Sequence, residues 1–336
     1  MKRVLLIYNP RSSRFSDVQR EVFPKVRELK GYIVGKYEVK PIDIEQNISN
    51  LAKIIHDDDI VISAGGDATG VIAANAIIKS NKSATLAALP YGNFNDLART
   101  LKTKRFEDIG LTSENGLSRG FRSAAARGLA RSPHGDGRER RDPRKAISDA
   151  KLYPLEILID GKHWRYATCY VTIGMTAEAV KLYDSNKMRR KLKNSFGRRI
   201  TSYTALANWY FKHRHKHIFL PAFKLNGEEQ HLKTSDYAAI NGRSMARVMK
   251  GGEDYMKPKI FRHETDRLAT SFPRLAKLML KSIFHRIPGT DTTGDILEFI
   301  NPATFTLQAE GESKRFENVN KVEIRKATKC IKVIQN

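Results

Sequence analysis

Residues 60–70, IVISAGGDATG, decide the fold of the first half of the chain. The β-branched start predicts a buried strand, while the Ala-, Ile- and Val-rich sequence from Thr69 to about residue 79 predicts a helix. The glycine pair between them lets backbone N–H groups approach a phosphate closely, and the N-terminus of a helix favours negative charge. The stretch therefore predicts a strand–turn–helix unit whose turn suits a phosphate-bearing ligand.

Strand and helix patterns alternate on both sides of this unit at short intervals. Further strands are predicted at 3–8, 32–39 and 84–89, and further helices at 16–30 (with Ser16 as N-cap), at 46–56 and from Asn95. Such alternation is typical of a parallel sheet that is covered by helices on both faces. We therefore predict an α/β domain over residues 1–110.

Two other polar turns follow strands of the same predicted sheet. Residues 9–13 read NPRSS, and residues 89–99 read LPYGNFNDLAR. Because the carboxyl ends of parallel strands meet at one edge, where such sheets bind their ligands, we expect all three turns to converge.

The second half of the chain differs from the first in composition and in its pattern of strands and helices. Residues 119–144 hold eight arginines and no lysine, which predicts a basic, flexible insert over 111–150. Residues 151–336 are predicted to form a β-rich, β-sandwich-like domain that binds lipid, with its C-terminal strands returning to the inter-domain cleft. The elements predicted there are a strand at 152–159, a hairpin turn at Asp160-Gly161, a strand at 163–173, helices at 197–213 and 267–286, and short strands over 296–334 with turns at Asn301-Pro302, Glu310-Gly311 and Asn318.

Composition points to an anionic partner. The chain of 336 residues has a net charge of +24 and two cysteines, and it has no apolar run long enough to span a bilayer. The basic stretch 187–199 and the basic amphipathic pattern over 267–286 favour an anionic membrane surface. Basic residues do not alternate with aromatic ones as in RNA-recognition segments, so no nucleic acid is expected. We predict a cytoplasmic protein that binds membranes peripherally.

Motifs in both halves resemble the catalytic domain shared by diacylglycerol, sphingosine and ceramide kinases and their bacterial relatives, within the NAD kinase/diacylglycerol kinase-like fold. In the first half these are the three turns. In the second half they are a Gly-containing segment at 173–178, an Asn-Gly-Arg strand end at 241–243 and an acidic Glu-Gly-Glu turn at 310–312.

The resemblance implies a site for ATP and Mg²⁺. Its residues would be Gly65, Gly66, Asp67, Ala68 and Thr69 on one turn, Gly92, Asn93, Asn95 and Asp96 on the next, and Asn9 beside the nucleotide. The lipid would enter between the domains, near Glu310 of the acidic turn.

The resemblance leaves two carboxylates as acceptors of the proton from the lipid hydroxyl, Glu312 and Asp67. Asp67 begins a helix, where a negative charge is favoured, so we expect it to serve ATP-bound Mg²⁺. Glu310 and Glu312 are close in sequence and repel each other, which should raise the pKa of one of them. We therefore predict Glu312 as the general base.

Four departures from the family pattern bear on activity. Ala68 replaces a glycine, which could strain a turn that needs a positive φ. Phe94 is bulky where the family has a second glycine, and Glu310 replaces an aspartate. The segment that holds a structural Mg²⁺ in some bacterial members is not recognisable, so no structural metal is predicted.

Taken together, the residues and the resemblance predict an ATP-dependent lipid kinase, an enzyme of phospholipid biosynthesis, whose acceptor is a diacylglycerol-like or sphingoid lipid. Two alternatives remain open at this point. One is an NAD kinase, which shares the Gly-Gly-Asp turn. The other is a catalytically degenerate protein of the same fold that binds nucleotide or lipid.

Overall fold

A computed structural model describes most of the chain. The described residues are 2–111, 150–174, 176–178, 220–229, 234–245, 249–250, 260–266, 290–292, 294–310 and 312–335, with isolated positions at 204, 207–208, 211, 273 and 276.

The first part of the chain alternates strands and helices as predicted. Its elements are β1 (Lys2–Tyr8), α1 (Phe15–Asp17), a π-helical turn (Val18–Val22), α2 (Phe23–Arg27), β2 (Tyr32–Glu38), α3 (Ile44–Ala52), β3 (Ile60–Gly65), α4 (Asp67–Ser80), β4 (Thr85–Pro90), α5 (Asp96–Thr100) and a 3-10 turn (Phe106–Ile109).

The remaining described elements are mainly strands. They are β5 (Ala150–Leu152), β6 (Leu155–Ile159), β7 (Lys162–Ala167), β8 (Tyr170–Gly174), β9 (Phe223–Leu225), β10 (Glu228–Glu229), β11 (Thr234–Ile240), β12 (Ser244–Met245), β13 (Met249–Lys250), β14 (Ile260–Asp266), β15 (Thr290–Thr292), β16 (Gly294–Ala309), β17 (Glu312–Lys326) and β18 (Ile331–Val333).

Two large sheets organise these elements. The first has six strands in the order β2-β1-β3-β4-β18-β5, and all of its pairs are parallel except β18 with β5. The second has ten strands, all paired antiparallel, with β16 joining β8, β9 and β17. The predicted fold class, a parallel α/β domain plus a β-rich domain, is confirmed.

The chain crosses between the sheets near its end. Strands β5 and β18 belong to the first sheet by pairing, although both lie at or beyond residue 150. The division at residues 110 and 150 stays a prediction, as does the return of the C-terminal strands to the cleft.

Helix α4 packs between the two halves of the molecule. Every residue from Thr69 to Ile78 is buried, because one face covers the first sheet and another meets β7 of the second. A helix that is apolar all round is one that protein surrounds on all sides. One hydrophobic cluster accordingly joins residues of β3, α4, β8 and β11.

Several predicted boundaries in the first half are wrong. Helix 16–30 is divided by the π-helical turn, after which Pro24, which lacks an N–H to donate, occupies the first turn of α2. Arg14, not Ser16, is the N-cap of α1, and it makes no side-chain capping bond. Helix α4 begins at Asp67, two residues before the predicted start.

The second half differs more. The strand predicted at 163–173 is two strands, β7 and β8, separated at Thr168-Cys169. The predicted short strands over 296–334 are largely two long strands, β16 and β17. Asn301-Pro302 lies inside β16, at a shift of register between Glu298 and Ala303. Proline cannot donate a hydrogen bond to the partner strand, but a strand can continue past it where the pairing contains a bulge.

Some predictions concern residues that the structure does not describe. The insert over 119–144, the stretch 187–199 and nearly all of the helices predicted at 197–213 and 267–286 lie outside the described residues. Among the helices that are described, none combines the length and the apolar character that a membrane span requires.

Candidate active site

The three polar turns converge at the carboxyl edge of the first sheet. Tyr91 N donates to Gly65 O at 3.1 Å, which joins the turns after β3 and β4. Ser12 Oγ donates to Tyr91 O, and Ser13 Oγ donates to Asn93 Oδ1 at 2.8 Å. The turn after β1 is therefore bonded to the turn after β4.

Glycine is required where two of these turns touch. A Cβ added to Gly92 would lie 2.2 Å from Gly66 Cα, a distance that no side chain tolerates. A Cβ on Gly65 would lie 2.4 Å from Oγ1 of Thr69. Glycine therefore allows the turns to pack closely at this edge, where the sequence predicts a phosphate site.

Asp67 fastens the turn after β4 from the start of α4. Its two carboxylate oxygens accept from Asn95 N at 3.0 Å and from Asp96 N at 2.6 Å. Asn95 has φ 58°, a left-handed conformation that asparagine tolerates, and its side chain bonds both Gly92 N and Gly92 O. The carboxylate thus organises the second turn.

Burial shifts the titration of Asp67. Removal from solvent and the nearby charge of Asp96 raise the pKa of Asp67 to about 7, against the lowering effect of its backbone hydrogen bonds. Asp96 is fully buried and forms an ion pair with Arg99.

The expected strain at Ala68 is wrong. Ala68 lies inside α4, and it is not among the described residues with positive φ. Phe94 also has a negative φ, because Asn95 takes the left-handed position in this turn. Neither substitution forces the backbone into a conformation that its side chain disfavours.

Thr69 contributes a polar atom to the same edge. Its side chain is buried, and among the described residues Oγ1 has no hydrogen-bond partner. A buried hydroxyl without a partner costs free energy unless a ligand or water satisfies it.

Glu310 reaches this region from the turn between β16 and β17. It is buried with φ 46°, and it accepts hydrogen bonds from Thr168 Oγ1 at 2.7 Å, from Tyr170 N at 3.2 Å and from Cys169 N. Burial, with a contribution from the charge of Asp67, raises the pKa of Glu310 to about 8. The second sheet thus supplies a carboxyl group that interacts electrostatically with the first.

Glu312 has different surroundings. It begins β17, is partly exposed, and forms an ion pair with Arg165 of β7. None of its described contacts joins it to the three turns, whereas Glu310 interacts with Asp67. The assignment of the general base to Glu312 stays a prediction.

The Asn-Gly-Arg strand end supports the Glu310 site. Asn241 Nδ2 donates to Tyr153 O and Thr168 O, and Asn241 N donates to Cys169 O at 2.7 Å. A Cβ on Gly242 would lie 2.7 Å from Cys169 Cβ. The motif therefore fixes the Thr168–Tyr170 segment that binds Glu310.

The segment at 173–178 begins a helix that a buried carboxyl group caps. Asp236 Oδ1 accepts from Thr176 N at 3.0 Å, and Oδ2 accepts from the Thr176 hydroxyl. Burial raises the pKa of Asp236 to about 7. Among the described residues, no group of three His, Cys, Asp or Glu side chains is arranged to hold a metal ion.

The sequence did not reveal Thr168, Arg165 or Asp236. Arg165 and Asp236 lie on strands β7 and β11, and Thr168 lies between β7 and β8. No local signal in the sequence distinguishes them.

Comparison with known proteins agrees with these motifs. Residues 3–124 match the model of the diacylglycerol kinase catalytic domain. A curated relative, diacylglycerol kinase from Bacillus subtilis (strain 168), is 33% identical over 115 residues, which cover 32% of this chain and 36% of the relative.

Solved structures match over the whole chain. A diacylglycerol kinase structure from Bacillus anthracis str. Sterne has a TM-score of 0.57 at 15% identity and covers 100% of this chain and 97% of its own. A second structure from that organism has a TM-score of 0.59 at 15% identity, with coverages of 100% and 97%. At this identity the likeness concerns the fold. Residues 3–124 are thus related to the diacylglycerol kinase catalytic domain, which confirms the family resemblance that the sequence motifs indicate.

Proposed function

We propose that the chain is an ATP-dependent kinase that phosphorylates a hydroxyl group of a lipid. The observation that carries this proposal is the convergence of three polar turns on one sheet edge, where backbone and serine hydrogen bonds join them. The family match of residues 3–124 supports the kinase class.

The nucleotide phosphates would bind at the glycine turns. Gly66 and Gly92 let the two turns pack together at this edge, and the N-terminus of the long helix α4 favours an anion there. The hydroxyl of Thr69 would gain the partner that it lacks among the described residues. Asn9 and Asn93, on turns joined through Ser13, would border the nucleotide.

The carboxyl groups fit the Mg²⁺ that accompanies ATP. Glu310 is buried and Asp67 half-buried, and in both cases loss of solvent and a neighbouring carboxylate raise the pKa. A divalent cation neutralises charge on the phosphates and on nearby carboxylates. Both oxygens of Asp67 accept backbone hydrogen bonds, so we assign Asp67 the organisation of the second turn. We also propose that it lies near that cation.

Glu310 is the better candidate for the general base. A carboxylate with a pKa near the working pH is suited to accept a proton, and Glu310 is held by three donors around residues 168–170. The lipid oxygen would attack the γ-phosphorus, its proton would pass to the Glu310 carboxylate, and ADP would leave. Glu312 is engaged with Arg165 instead.

The proposed class of lipid acceptor is taken from the curated relative. The curated relative is named diacylglycerol kinase, so we propose a diacylglycerol-like acceptor, with a sphingoid lipid as the other member of the class. The net charge of +24 supports peripheral binding to an anionic membrane surface.

A panel of acceptors tests the proposal. The full chain would be incubated with radiolabelled ATP, Mg²⁺ and micelles that contain a diacylglycerol or a sphingoid base, with NAD as a parallel acceptor. Label in a lipid supports the proposal, and label in NAD would identify an NAD kinase. If ATP-Mg²⁺ raises the melting temperature but no acceptor is labelled, the chain is a degenerate nucleotide-binding protein.

A further inference from the structure

Arg165 is a buried cation that contacts both halves of the molecule. Its side chain is 2% exposed, and its Nη2 and Nε atoms lie 2.6 and 3.1 Å from Glu45 Oε1. Its Nη1 atom forms an ion pair with Glu312. Glu45 lies in the first turn of α3, beside the first sheet, and Glu312 begins β17 of the second.

Burial of a guanidinium group requires partners of opposite charge. Arginine remains protonated and presents several donors in a fixed fork, so one side chain can bind two carboxylates that a lysine could not bridge in the same way. Removal of one member of such a buried group leaves an uncompensated charge. The Trp164 ring, 4.9 Å from Arg165 Cζ, adds a cation–π contact that fixes the guanidinium plane.

The neighbouring residue strengthens the same junction. Tyr166 N donates to Asn75 Oδ1 at 3.0 Å, and Asn75 Nδ2 donates to Tyr166 O at 2.8 Å. Asn75 lies on α4, the helix that begins with Asp67. Strand β7 is therefore bonded to α3 through Arg165 and to α4 through Tyr166.

Glu312 connects this junction to the Glu310 turn. Glu312 pairs with Ala309 across the hairpin, and Glu310 lies in the turn between them. By binding Glu312, Arg165 holds the residue at which β17 leaves the turn. By binding Glu45, it also fixes the distance between this turn and the first sheet.

We infer that Arg165 is a positioning residue, which holds the Glu310 turn against the α3–α4 side of the first sheet by binding Glu45 and Glu312 together. That the placement of the Glu310 turn matters for catalysis rests on the proposed function. That Arg165 determines this placement does not depend on the proposed function. Loss of the cation would let the turn move outward, and Glu310 would become hydrated.

The titration of Glu310 gives a readout that needs no activity. NMR of isotope-labelled glutamate carboxyl groups would be recorded as a function of pH for the full-length wild type and for Arg165→Met. Methionine keeps much of the side-chain length, and both former partners are partly exposed, so they can be hydrated. The matched control is Arg325→Met, because Arg325 is half exposed and pairs with Glu156 at 2.9 Å, away from the Glu310 turn.

We expect the Glu310 midpoint to be near 8 in the wild type and in Arg325→Met, and to fall toward its ordinary value in Arg165→Met. If the chain is a lipid kinase, Arg165→Met should also lower kcat about a hundredfold with little change in the KM for ATP. Glu312→Gln should show the same trends. It should add little when combined with Arg165→Met, because both substitutions remove the same ion pair between Arg165 and Glu312.

An unchanged Glu310 midpoint in folded Arg165→Met would overturn the inference, whatever the activity. If Arg165→Met does not fold, an unchanged midpoint in Glu312→Gln would overturn it equally. A wild type that phosphorylates no lipid refutes the proposed function alone, since the titration still decides the role of Arg165.

Discussion

Burial gives Asp67 and Glu310 chemical properties that exposed carboxylates lack. Both have pKa values raised into the physiological range, to about 7 and about 8. A base with such a pKa is partly ionised at neutral pH and can hold the proton that it receives. The three donors from residues 168–170 keep Glu310 oriented in either state.

Replacement of Glu310 should separate turnover from nucleotide binding. Glu310→Gln keeps the shape of the side chain and removes the base, so kcat should fall by roughly 10²–10⁴ while ATP affinity changes little. In the wild type kcat should rise with pH up to about 8, and this rise should vanish in the variant. Glu312→Gln is the matched comparison, and it should keep a rise with pH, at a lower kcat and shifted to lower pH because the turn that holds Glu310 is loosened. Steady-state kinetics over pH would reverse the assignment if Glu312→Gln were inactive and Glu310→Gln were not.

The same raised pKa values predict how stability depends on pH. Between its ordinary pKa and its raised pKa, each carboxyl group binds more proton in the folded state than in the unfolded state, so the free energy of unfolding falls as pH rises. The slope for one group is at most about 1.4 kcal/mol per pH unit. Urea titrations from about pH 5 to about pH 8 should therefore show a smaller decrease for Glu310→Gln than for the wild type. Equal slopes, or a steeper decrease in the variant, would show that Glu310 is not protonated on folding.

At the scale of elements, the site depends on how closely two turns pack. Gly66 and Gly92 approach so closely that only one of them could carry a side chain. Ser13 and Asp67 then join the turns through Asn93, Asn95 and Asp96.

Alanine at these glycines should have unequal effects. In Gly92→Ala the new Cβ would lie 2.2 Å from Gly66 Cα, so the turns must separate, at a cost of about 1–3 kcal/mol. In Gly66→Ala the new Cβ meets Gly92 Cα at 3.4 Å, an ordinary contact at a negative φ, and stability should change much less. Chemical denaturation of both variants measures the difference, and equal losses would contradict the packing described.

The elements of the first half were largely predictable because their signals are local. Strand–helix alternation and glycine turns specify a parallel sheet and the edge at which its polar turns meet, and the structure adds the bonds between turns. The break at Thr168 was not predictable, since it depends on Glu310, more than a hundred residues away. The long strands β16 and β17 were misjudged because Asn301-Pro302 also occurs in turns, and only a partner strand decides between a bulge and a turn.

The choice of general base could not be made from the sequence for a related reason. Glu310 and Glu312 are equivalent in a sequence pattern, and only tertiary contacts distinguish the buried carboxyl group from the one that binds Arg165. Departures at Ala68 and Phe94 do not strain the backbone, because Ala68 lies inside α4 and the left-handed position of the second turn is taken by Asn95 instead of Phe94.

At the scale of the whole molecule, charge is the dominant property. The net charge of +24 predicts association with anionic vesicles that weakens as salt increases, because exposed charges are screened beyond about 8 Å at physiological ionic strength. Cosedimentation with anionic and neutral vesicles over a range of salt tests this. Equal binding to both kinds of vesicle, or binding indifferent to salt, would exclude an electrostatic membrane contact.

We propose that the two sheets together form a phosphate-transfer site. Transfer of radiolabelled γ-phosphate from ATP to diacylglycerol in mixed micelles, by the wild type and by Glu310→Gln, tests it most directly. We predict labelled lipid that depends on Mg²⁺ with the wild type, and a loss of roughly 10²–10⁴ in rate with the variant, although both are stabilised by ATP. Equal transfer by the two proteins, or a wild type that binds ATP and labels neither diacylglycerol nor a sphingoid lipid, would contradict it.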